Sequence, residues 1–202
     1  MTKVCILDYG SGNVKSVKNA FDAFTDCEIS NEISNIEKAT HIVLPGVGSF
    51  RKAMMRVTSA IPLPELNIEL GKGKPFLGIC VGMQILGETG MEFQETKGLG
   101  LFEGTIEKLD SQGEPLPHVG WNNLLEIVNH PLLTGITEED DFYFVHSFAF
   151  RNIPKPQILS SGFYGSKFPA VIAKDNVYGV QFHPEKSQKA GVKLIQNFLS
   201  IK

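Results

Sequence analysis

The chain has 202 residues, a length that favours one domain with a sizeable core, and we expect a single domain over residues 1–202. Its 19 Lys and Arg residues nearly balance its 22 Asp and Glu residues, for a formal net charge of -3, and no basic block predicts a nucleic-acid partner. Residues 1–8 lack the pattern of a signal peptide, and no apolar run approaches the roughly 20 residues of a membrane span. We therefore expect a cytoplasmic protein that binds neither nucleic acid nor a membrane.

The first third of the chain alternates strands and helices. Residues 4–7 form a continuous apolar run typical of a buried strand, and residues 8–13 form a polar turn with two glycines. Apolar side chains then recur at helical spacing, at Val14, Val17, Phe21 and Phe24. Further strands are predicted at residues 28–29 and 41–44. This strand-turn-helix order predicts an α/β fold with a mostly parallel, flavodoxin-like, doubly wound sheet.

The alternation continues and then breaks down. A helix is predicted over residues 51–73, interrupted by Pro62 and Pro64. After residue 104 short strands follow one another, which predicts an antiparallel extension of the sheet. The candidate strands are residues 124–128, 142–145, 170–173 and 178–182. A final helix is predicted from an apolar stripe of Val192, Ile195, Phe198 and Leu199.

Three cysteines, Cys5, Cys27 and Cys80, are too few and too scattered for a disulfide framework. No Cys-x-x-Cys pair predicts a zinc site, so we expect no metal. The pattern fits one reactive thiol and two buried ones.

Cys80 lies where a predicted strand meets a predicted helix. Residues 76–79 are an apolar run, and residues 81–86 can open a helix, with Gly78 and Gly82 flanking the cysteine. Glycines at these two places remove side chains that would crowd a sharp turn, as in a nucleophile elbow. Such a turn near a helix N-terminus stabilises a thiolate. The alternative is an ordinary buried cysteine, which packs as a small hydrophobe.

Two other segments can complete a site around this thiol. In residues 45–50, two glycines flank Val47 and leave backbone N–H groups unshielded for an oxyanion, unless the segment is an ordinary turn. His183 follows a predicted strand, with Glu185 two residues on. In an extended chain both side chains project to one side, so Glu185 can orient His183 while the imidazole faces the sulfur. The alternative is a solvated His and Glu at a strand end.

Several segments carry a resemblance to a known family. Residues 45–48, 78–84 and 183–185 together resemble the class I (triad) glutamine amidotransferase domain. A narrower resemblance lies in residues 8–13, 117–122, 143–147 and 183–187. These segments resemble the glutaminase subunits of imidazole glycerol phosphate synthase, an enzyme of histidine biosynthesis. The segments follow the family's order through nearly the whole chain. Val81 replaces a usual leucine, which we expect to be harmless, and Phe148 replaces a common tyrosine, so a hydroxyl near the substrate is expected to be missing.

The resemblance implies a role for each matching residue. Cys80 would attack the side-chain amide of L-glutamine, His183 would take the thiol proton and return it to the leaving ammonia, and Glu185 would orient His183. The oxyanion would be stabilised near Gly46, Val47 and Val81. The glutamine-binding positions would be Gln84, Tyr143, His146 and Ser147. No cofactor is implied.

The resemblance also implies a partner that receives the ammonia, because ammonia released into neutral water is mostly protonated and no longer nucleophilic. In the family this partner is a (β/α)8-barrel cyclase subunit, which forms imidazole glycerol phosphate and aminoimidazole carboxamide ribonucleotide. The positions facing it would be Asn13, Trp121, Asn122 and Lys186. For Trp121, the flanking Gly120 and Asn122 predict a loop rather than a core strand.

Three alternatives keep parts of this interpretation. A paralogous glutaminase would feed a barrel subunit that amidinates surface sugars. A cysteine hydrolase would act on another amide or ester without a barrel partner. An interaction domain would have kept the fold and lost turnover, although it would have little reason to retain Cys80, His183 and Glu185 together.

Overall fold

The computed structural model describes residues 2–202. Its strands, in chain order, are β1 (Lys3–Ile6), β2 (Asp26–Ile29), β3 (His41–Gly46), β4 (Phe76–Cys80), β5 (Thr89–Gly90), β6 (Thr96–Lys97), β7 (Thr105–Lys108), β8 (His118–Asn123), β9 (Asp141–His146), β10 (Phe148–Arg151), β11 (Ile158–Tyr164), β12 (Ser166–Lys174) and β13 (Val177–Val180). Its α-helices are α1 (Val14–Asp22), α2 (Ile33–Lys38), α3 (Phe50–Ala60), α4 (Leu63–Gly71), α5 (Val81–Gln84) and α6 (Gln188–Ser200). Three short 3-10 turns cover Pro131–Leu133, Lys155–Gln157 and Pro184–Lys186.

The central sheet has seven strands in the order β11-β12-β13-β4-β3-β1-β2. Strands β13, β4, β3, β1 and β2 are mutually parallel, whereas β12 and β11 join antiparallel at one side. The α/β class, the mostly parallel sheet and its antiparallel extension are therefore confirmed. The strand β4 is apolar and buried over its whole length, as expected for a strand covered on both faces.

Two smaller sheets lie beside the central one. Strands β10, β7, β5 and β6 form a four-stranded sheet, and β8 and β9 form an antiparallel ribbon. The predicted strand at residues 142–145 exists within β9, but it pairs with β8 rather than extending the central sheet. None of the helices described in residues 2–202 is both long and apolar enough to cross a membrane.

Some expected elements differ from the structure. The strand predicted at residues 124–128 is wrong, because Glu126 has a φ of 54° and only Leu125 forms an isolated bridge, to Ser161. The helix predicted over residues 81–86 ends at Gln84. The helix predicted over 51–73 is interrupted as expected, and Pro64 lies in the first turn of α4, where a missing N–H costs nothing.

Two apolar stripes contain an exposed member. Phe24 lies beyond the end of α1 and is 39% exposed, so it does not share the buried face of Val14, Val17 and Phe21. Val192 is 40% exposed on α6, where the buried face includes Leu194.

Candidate active site

The chain turns sharply at Cys80, where β4 ends and α5 begins. Cys80 has φ 55° and ψ -112°, a conformation that non-glycine residues rarely adopt and that the surrounding structure must hold in place. A Cβ added to Gly82 would lie 1.9 Å from the carbonyl oxygen of Leu44, and one added to Gly78 would lie 2.6 Å from that of Gly82. The elbow and the steric reason for its glycines are as predicted. However, α5 has only one turn, so its dipole contributes little to the thiolate.

His183 and Glu185 form a buried pair just beyond β13. Nδ1 of His183 lies 2.8 Å from Oε1 of Glu185, and their side chains are 0% and 1% exposed. Glu185 belongs to the 3-10 turn Pro184–Lys186, so the turn brings the two side chains together and the extended-chain explanation is wrong. Burial alone would lower the pKa of His183, but interactions with Cys80 and Glu185 outweigh it and raise this pKa to about 10.

Cys80 and His183 line the same cavity of about 320 Å³. Nε2 of His183 is buried and forms no hydrogen bond with any residue in the described range 2–202, so it is free to exchange a proton with the thiol. The raised pKa of His183 makes this ring a base strong enough to take the thiol proton. The cavity lies at the carboxyl ends of β3, β4 and β13, where ligands bind in open α/β sheets. Its size is at the lower end for small-molecule sites, which suits a ligand the size of an amino acid.

The predicted oxyanion segment lies beside the thiol. Val47, Gly48 and Val81 line the cavity, while Gly46 pairs with Cys80 across β3 and β4. A Cβ on Gly46 would lie 2.6 Å from the amide nitrogen of Gly82, so the two segments approach as closely as glycine allows. This close approach places the backbone of residues 46–48 next to the start of α5.

Three of the four predicted glutamine-binding residues line the cavity: Gln84, His146 and Ser147. Tyr143 is not part of this lining. Its ring lies 5.8 Å from that of Trp121, and Nζ of Lys186 lies 5.5 Å from its centroid. Tyr143 therefore belongs with two residues predicted to face a partner, and the three are called the Trp121 cluster below.

The remaining predicted partner-facing positions differ in exposure. Trp121 lies on strand β8, opposite Tyr143 on β9, so the loop predicted at this position is wrong. Its side chain is 48% exposed, so the prediction that it lies outside the core is right. Asn122 donates to the carbonyl oxygen of Phe163 at 2.8 Å. Asn13 is only 8% exposed and donates to Oε1 of Glu185 at 3.3 Å, so it contacts the candidate triad rather than the outer surface.

The sequence interpretation missed a carboxylate in the cavity. Glu92 lines the cavity, and its Oε2 accepts the backbone N–H of Phe50 at 2.8 Å. It lies in the turn between β5 and β6, where no local pattern distinguishes it from neighbouring acidic residues. Pro117 and Phe148 also line the cavity without having been assigned a binding role.

The other two cysteines are free and buried among the core residues. Burial, together with nearby negative charges, raises the pKa of Cys5 to about 11 and that of Cys27 to about 12. Neither lines the cavity, so Cys80 is the thiol placed for chemistry.

Comparison with known proteins assigns this geometry to a family. A family model described as glutamine amidotransferase class-I matches residues 5–201. The chain belongs to the class I glutamine amidotransferase family. It is 42% identical, over 194 residues, to the imidazole glycerol phosphate synthase subunit HisH of Caldanaerobacter subterraneus, covering 96% of this chain and 95% of that protein. It is also 39% identical, over 202 residues, to HisH 1 of Methanococcus maripaludis, with 98% and 99% covered.

Solved structures support the fold. One described as a glutamine amidotransferase aligns with a TM-score of 0.76 at 18% identity, covering 98% of this chain and 97% of that one. The structure of PurLQS from Thermotoga maritima aligns with a TM-score of 0.75 at 20% identity, again covering 98% and 97%. The family membership makes this chain an enzyme of the glutamine amidotransferase class.

Proposed function

We propose that the chain is the glutaminase subunit of an imidazole glycerol phosphate synthase and acts through Cys80, His183 and Glu185. The observation that carries the proposal is the shared cavity, in which Cys80 meets an imidazole already paired with a buried carboxylate. Near full-length similarity to HisH subunits supports the histidine pathway over surface-sugar amidination.

The reaction begins with proton transfer from Sγ of Cys80 to Nε2 of His183. The thiolate attacks the side-chain amide carbon of glutamine, and the carbonyl electrons move onto oxygen. We assign the stabilisation of this oxyanion to the backbone N–H groups of Val47 and Val81, two residues that line the cavity, with Gly46 allowing the close approach of their segments. The imidazolium returns its proton to the amide nitrogen as the C–N bond breaks, which releases ammonia and leaves a glutamyl thioester. Water, activated by His183, then hydrolyses the thioester to glutamate and restores the thiol.

Glutamine is held by polar groups of the cavity. Both hydrogens of Nε2 in Gln84 are used within the protein, on the carbonyl of Phe148 and on Gln181, so Oε1 of Gln84 is the atom available to a substrate donor. The carboxylate of Glu92 supplies negative charge for the α-ammonium group. Ser147 adds a hydroxyl beside them.

The ammonia requires a second protein chain to receive it, and the relatives are themselves named as subunits of a synthase. We place the (β/α)8-barrel cyclase partner over the Trp121 cluster. An exposed Trp with a neighbouring Tyr and Lys has the composition of an interface anchor. Asn13 would contribute to this interface indirectly, through its hydrogen bond to Glu185. Asn122 would contribute as part of the β8–β9 ribbon that carries Trp121.

The test measures glutamate released from glutamine by the chain, with and without the cyclase subunit encoded in the same genome and with that subunit's nucleotide ligand. We expect turnover that the partner increases, that Cys80→Ala abolishes and that Cys27→Ala retains. Turnover that survives Cys80→Ala would overturn the assignment of the nucleophile. Failure to complement a histidine auxotroph, with glutaminase activity intact, would mean that the ammonia serves another synthase, such as the one that amidinates surface sugars.

A further inference from the structure

A chain of hydrogen bonds through Gln84 and Gln181 reaches Cys80. Nε2 of Gln181 lies 3.9 Å from Sγ of Cys80, within hydrogen-bond range for sulfur. Gln181 is completely buried, and its backbone N–H is fixed on the carbonyl of Ala170. The triad does not use this side chain. Its orientation matters, because an amide can present either a donor or an acceptor to the sulfur.

The carbonyl oxygen of Phe148 decides this orientation. A backbone carbonyl only accepts, so the side-chain atom of Gln84 that lies 2.9 Å from it must be the Nε2 donor. That same nitrogen lies 3.1 Å from the side chain of Gln181, so the facing atom of Gln181 must be its Oε1 acceptor. The other end of Gln181 is then Nε2, which directs an N–H at the sulfur of Cys80.

The same carbonyl fixes two histidines. Nδ1 of His146 lies 3.0 Å from the oxygen of Phe148 and must carry a proton, which leaves Nε2 as an acceptor when the ring is neutral. Nδ1 of His118 lies 3.1 Å from that Nε2 and must donate to it. Nε2 of His118 then accepts from Asn122, whose Nδ2 lies 3.4 Å away. Every donor and acceptor in this branch has one consistent direction.

We propose that Gln181 is a positioning residue for the glutaminase reaction, one that holds an N–H donor on the sulfur of Cys80 and so favours the thiolate. The inference rests on the proposed function for the identity of the nucleophile. The donor is worth most in the thiolate state, because hydrogen bonds to charged groups are stronger than those to neutral ones. It is supplied from the protein interior, so it persists whether or not glutamine occupies the cavity.

Other titratable groups also face the sulfur and remain unchanged when Gln181 is replaced. They are His183 beyond β13, Tyr9 beyond β1, His146 at the end of β9 and Glu92 between β5 and β6. The carbonyl of Val145, 3.8 Å from Sγ, can only accept from the neutral thiol and does not favour the thiolate. A change in the titration of Cys80 on replacing Gln181 therefore reports the amide itself.

The test is the pH dependence of Cys80 alkylation by iodoacetamide in the full chain, in which the thiolate displaces iodide. Peptide mass spectrometry separates Cys80 from Cys5 and Cys27. Gln181→Met keeps the length and removes the donor, so we expect the midpoint of the profile to rise by about one pH unit, a roughly tenfold slower reaction below the midpoint. Gln181→Glu places an acceptor there and should raise the midpoint further.

Gln196→Glu, on the exposed face of α6, makes the same charge change away from the sulfur and should leave the profile unchanged. Unshifted midpoints in folded Gln181→Met and Gln181→Glu would overturn the proposal. Because alkylation needs neither glutamine nor a partner, this outcome is distinct from a failure of the proposed glutaminase function, which the Cys80→Ala assay detects.

A second measurement uses the unaltered chain, in case the variants do not fold. Long-range nitrogen-proton NMR spectra identify which ring nitrogen of each neutral histidine carries the proton. We expect the Nδ1-protonated form for His118 and His146. His41, whose Nε2 faces the carbonyl of Ile201, and His130, whose Nδ1 accepts from Leu132, are internal controls for the Nε2-protonated form. The opposite tautomer at His146 would contradict the hydrogen-bond direction assigned to the histidine branch, and a side-chain N–H signal of Gln181 that does not shift as Cys80 is titrated would overturn the proposal.

Discussion

Nδ1 of His183 and Oε1 of Glu185 lie 2.8 Å apart with both side chains buried, so the carboxylate fixes which ring nitrogen faces the thiol. Replacing Glu185 with Gln keeps the shape and removes the charge. We expect kcat for glutamate release to fall about 100-fold or more, because the imidazole loses its orientation and the stabilisation of its protonated form. The pKa of His183 should fall in the same variant, since Glu185 contributes to raising it.

Steady-state glutaminase assays across a pH series measure both effects. Glu103→Gln, at an exposed position, makes the same change outside the cavity and should retain full activity. Equal activity of Glu185→Gln and wild type would remove the carboxylate from the mechanism.

Gly82→Ala tests the steric basis of the elbow. Its new Cβ would lie 1.9 Å from the carbonyl oxygen of Leu44, a backbone atom that cannot move aside. We expect a loss of about 2–4 kcal/mol in unfolding free energy, measured by urea denaturation, together with loss of glutaminase activity. Gly71→Ala is the matched control, because nothing lies within 4 Å of its Cβ and alanine favours the helix by roughly 0.5–1 kcal/mol. Equal stability of the two variants would contradict the prediction.

The His118–His146 pair predicts a loss of stability in acid. Burial is the main cause that lowers the pKa of His118 to about 4 and that of His146 to about 3, against 6.5 in the unfolded chain. At pH values between the folded-state pKa of each histidine and 6.5, the unfolded state binds more protons than the folded state. Stability is therefore fully present above pH 6.5 and is lost as pH falls towards 4, by up to about 1.4 kcal/mol per pH unit for each histidine.

Denaturation curves between pH 7 and 5 measure this slope. His118→Phe preserves an aromatic ring between Phe144 and Tyr164 and removes one titrating group. We expect its slope to be smaller than that of wild type, whatever its absolute stability. An unchanged slope would mean that His118 is not neutral in the folded protein at these pH values.

Glu92→Gln separates charge from hydrogen bonding in the cavity. The amide oxygen of Gln can still accept the N–H of Phe50, so the loop should keep its position while the negative charge is lost. We expect the KM for glutamine to rise about 10- to 100-fold, with a smaller effect on kcat, because the α-ammonium loses a charged partner. The exposed neighbour Glu95 offers a matched control, since Glu95→Gln should leave KM unchanged. A normal KM in Glu92→Gln would place the ammonium elsewhere.

Trp121→Ala tests the partner surface. We expect the dissociation constant for the cyclase subunit to rise by roughly 30-fold, about 2 kcal/mol, as for an interface anchor. Calorimetric titration of the two proteins measures it. Ile68→Ala truncates a comparably exposed apolar side chain, 59% exposed on α4, and should leave affinity unchanged. Similar effects of both variants would remove Trp121 from the interface.

The features that sequence reasoning predicted best are those specified by neighbouring residues. Gly78 and Gly82 flank Cys80 closely enough for their steric role to be inferred, and His183 and Glu185 are near neighbours in the chain. The buried strands β3 and β4 are continuous apolar runs. For the triad pair the inferred contact is right although the inferred backbone is wrong, because His183 and Glu185 are close in the chain and the 3-10 turn Pro184–Lys186 brings the carboxylate to the ring.

The features that were missed depend on contacts between distant segments. Glu92 enters the cavity because its loop is held at the N–H of Phe50, which no local pattern reveals. Tyr143 is absent from the cavity lining although Val145, two residues further along β9, belongs to it, and the ring of Tyr143 lies 5.8 Å from that of Trp121 on the neighbouring strand. Likewise, the positive φ of Glu126 breaks a strand that its apolar neighbours favour.

The sheet order has a consequence for when the enzyme becomes active during its synthesis. Cys80 lies on β4, but one side of β4 stays uncovered until β13 pairs with it, and β13 is made almost a hundred residues later. His183 follows β13 directly. A nascent chain that has not yet exposed residues 177–185 outside the ribosome therefore has the nucleophile without its base, and it also has an unpaired central strand. Glutamine is protected from hydrolysis by unfinished chains, because catalysis and completion of the sheet occur in the same folding step.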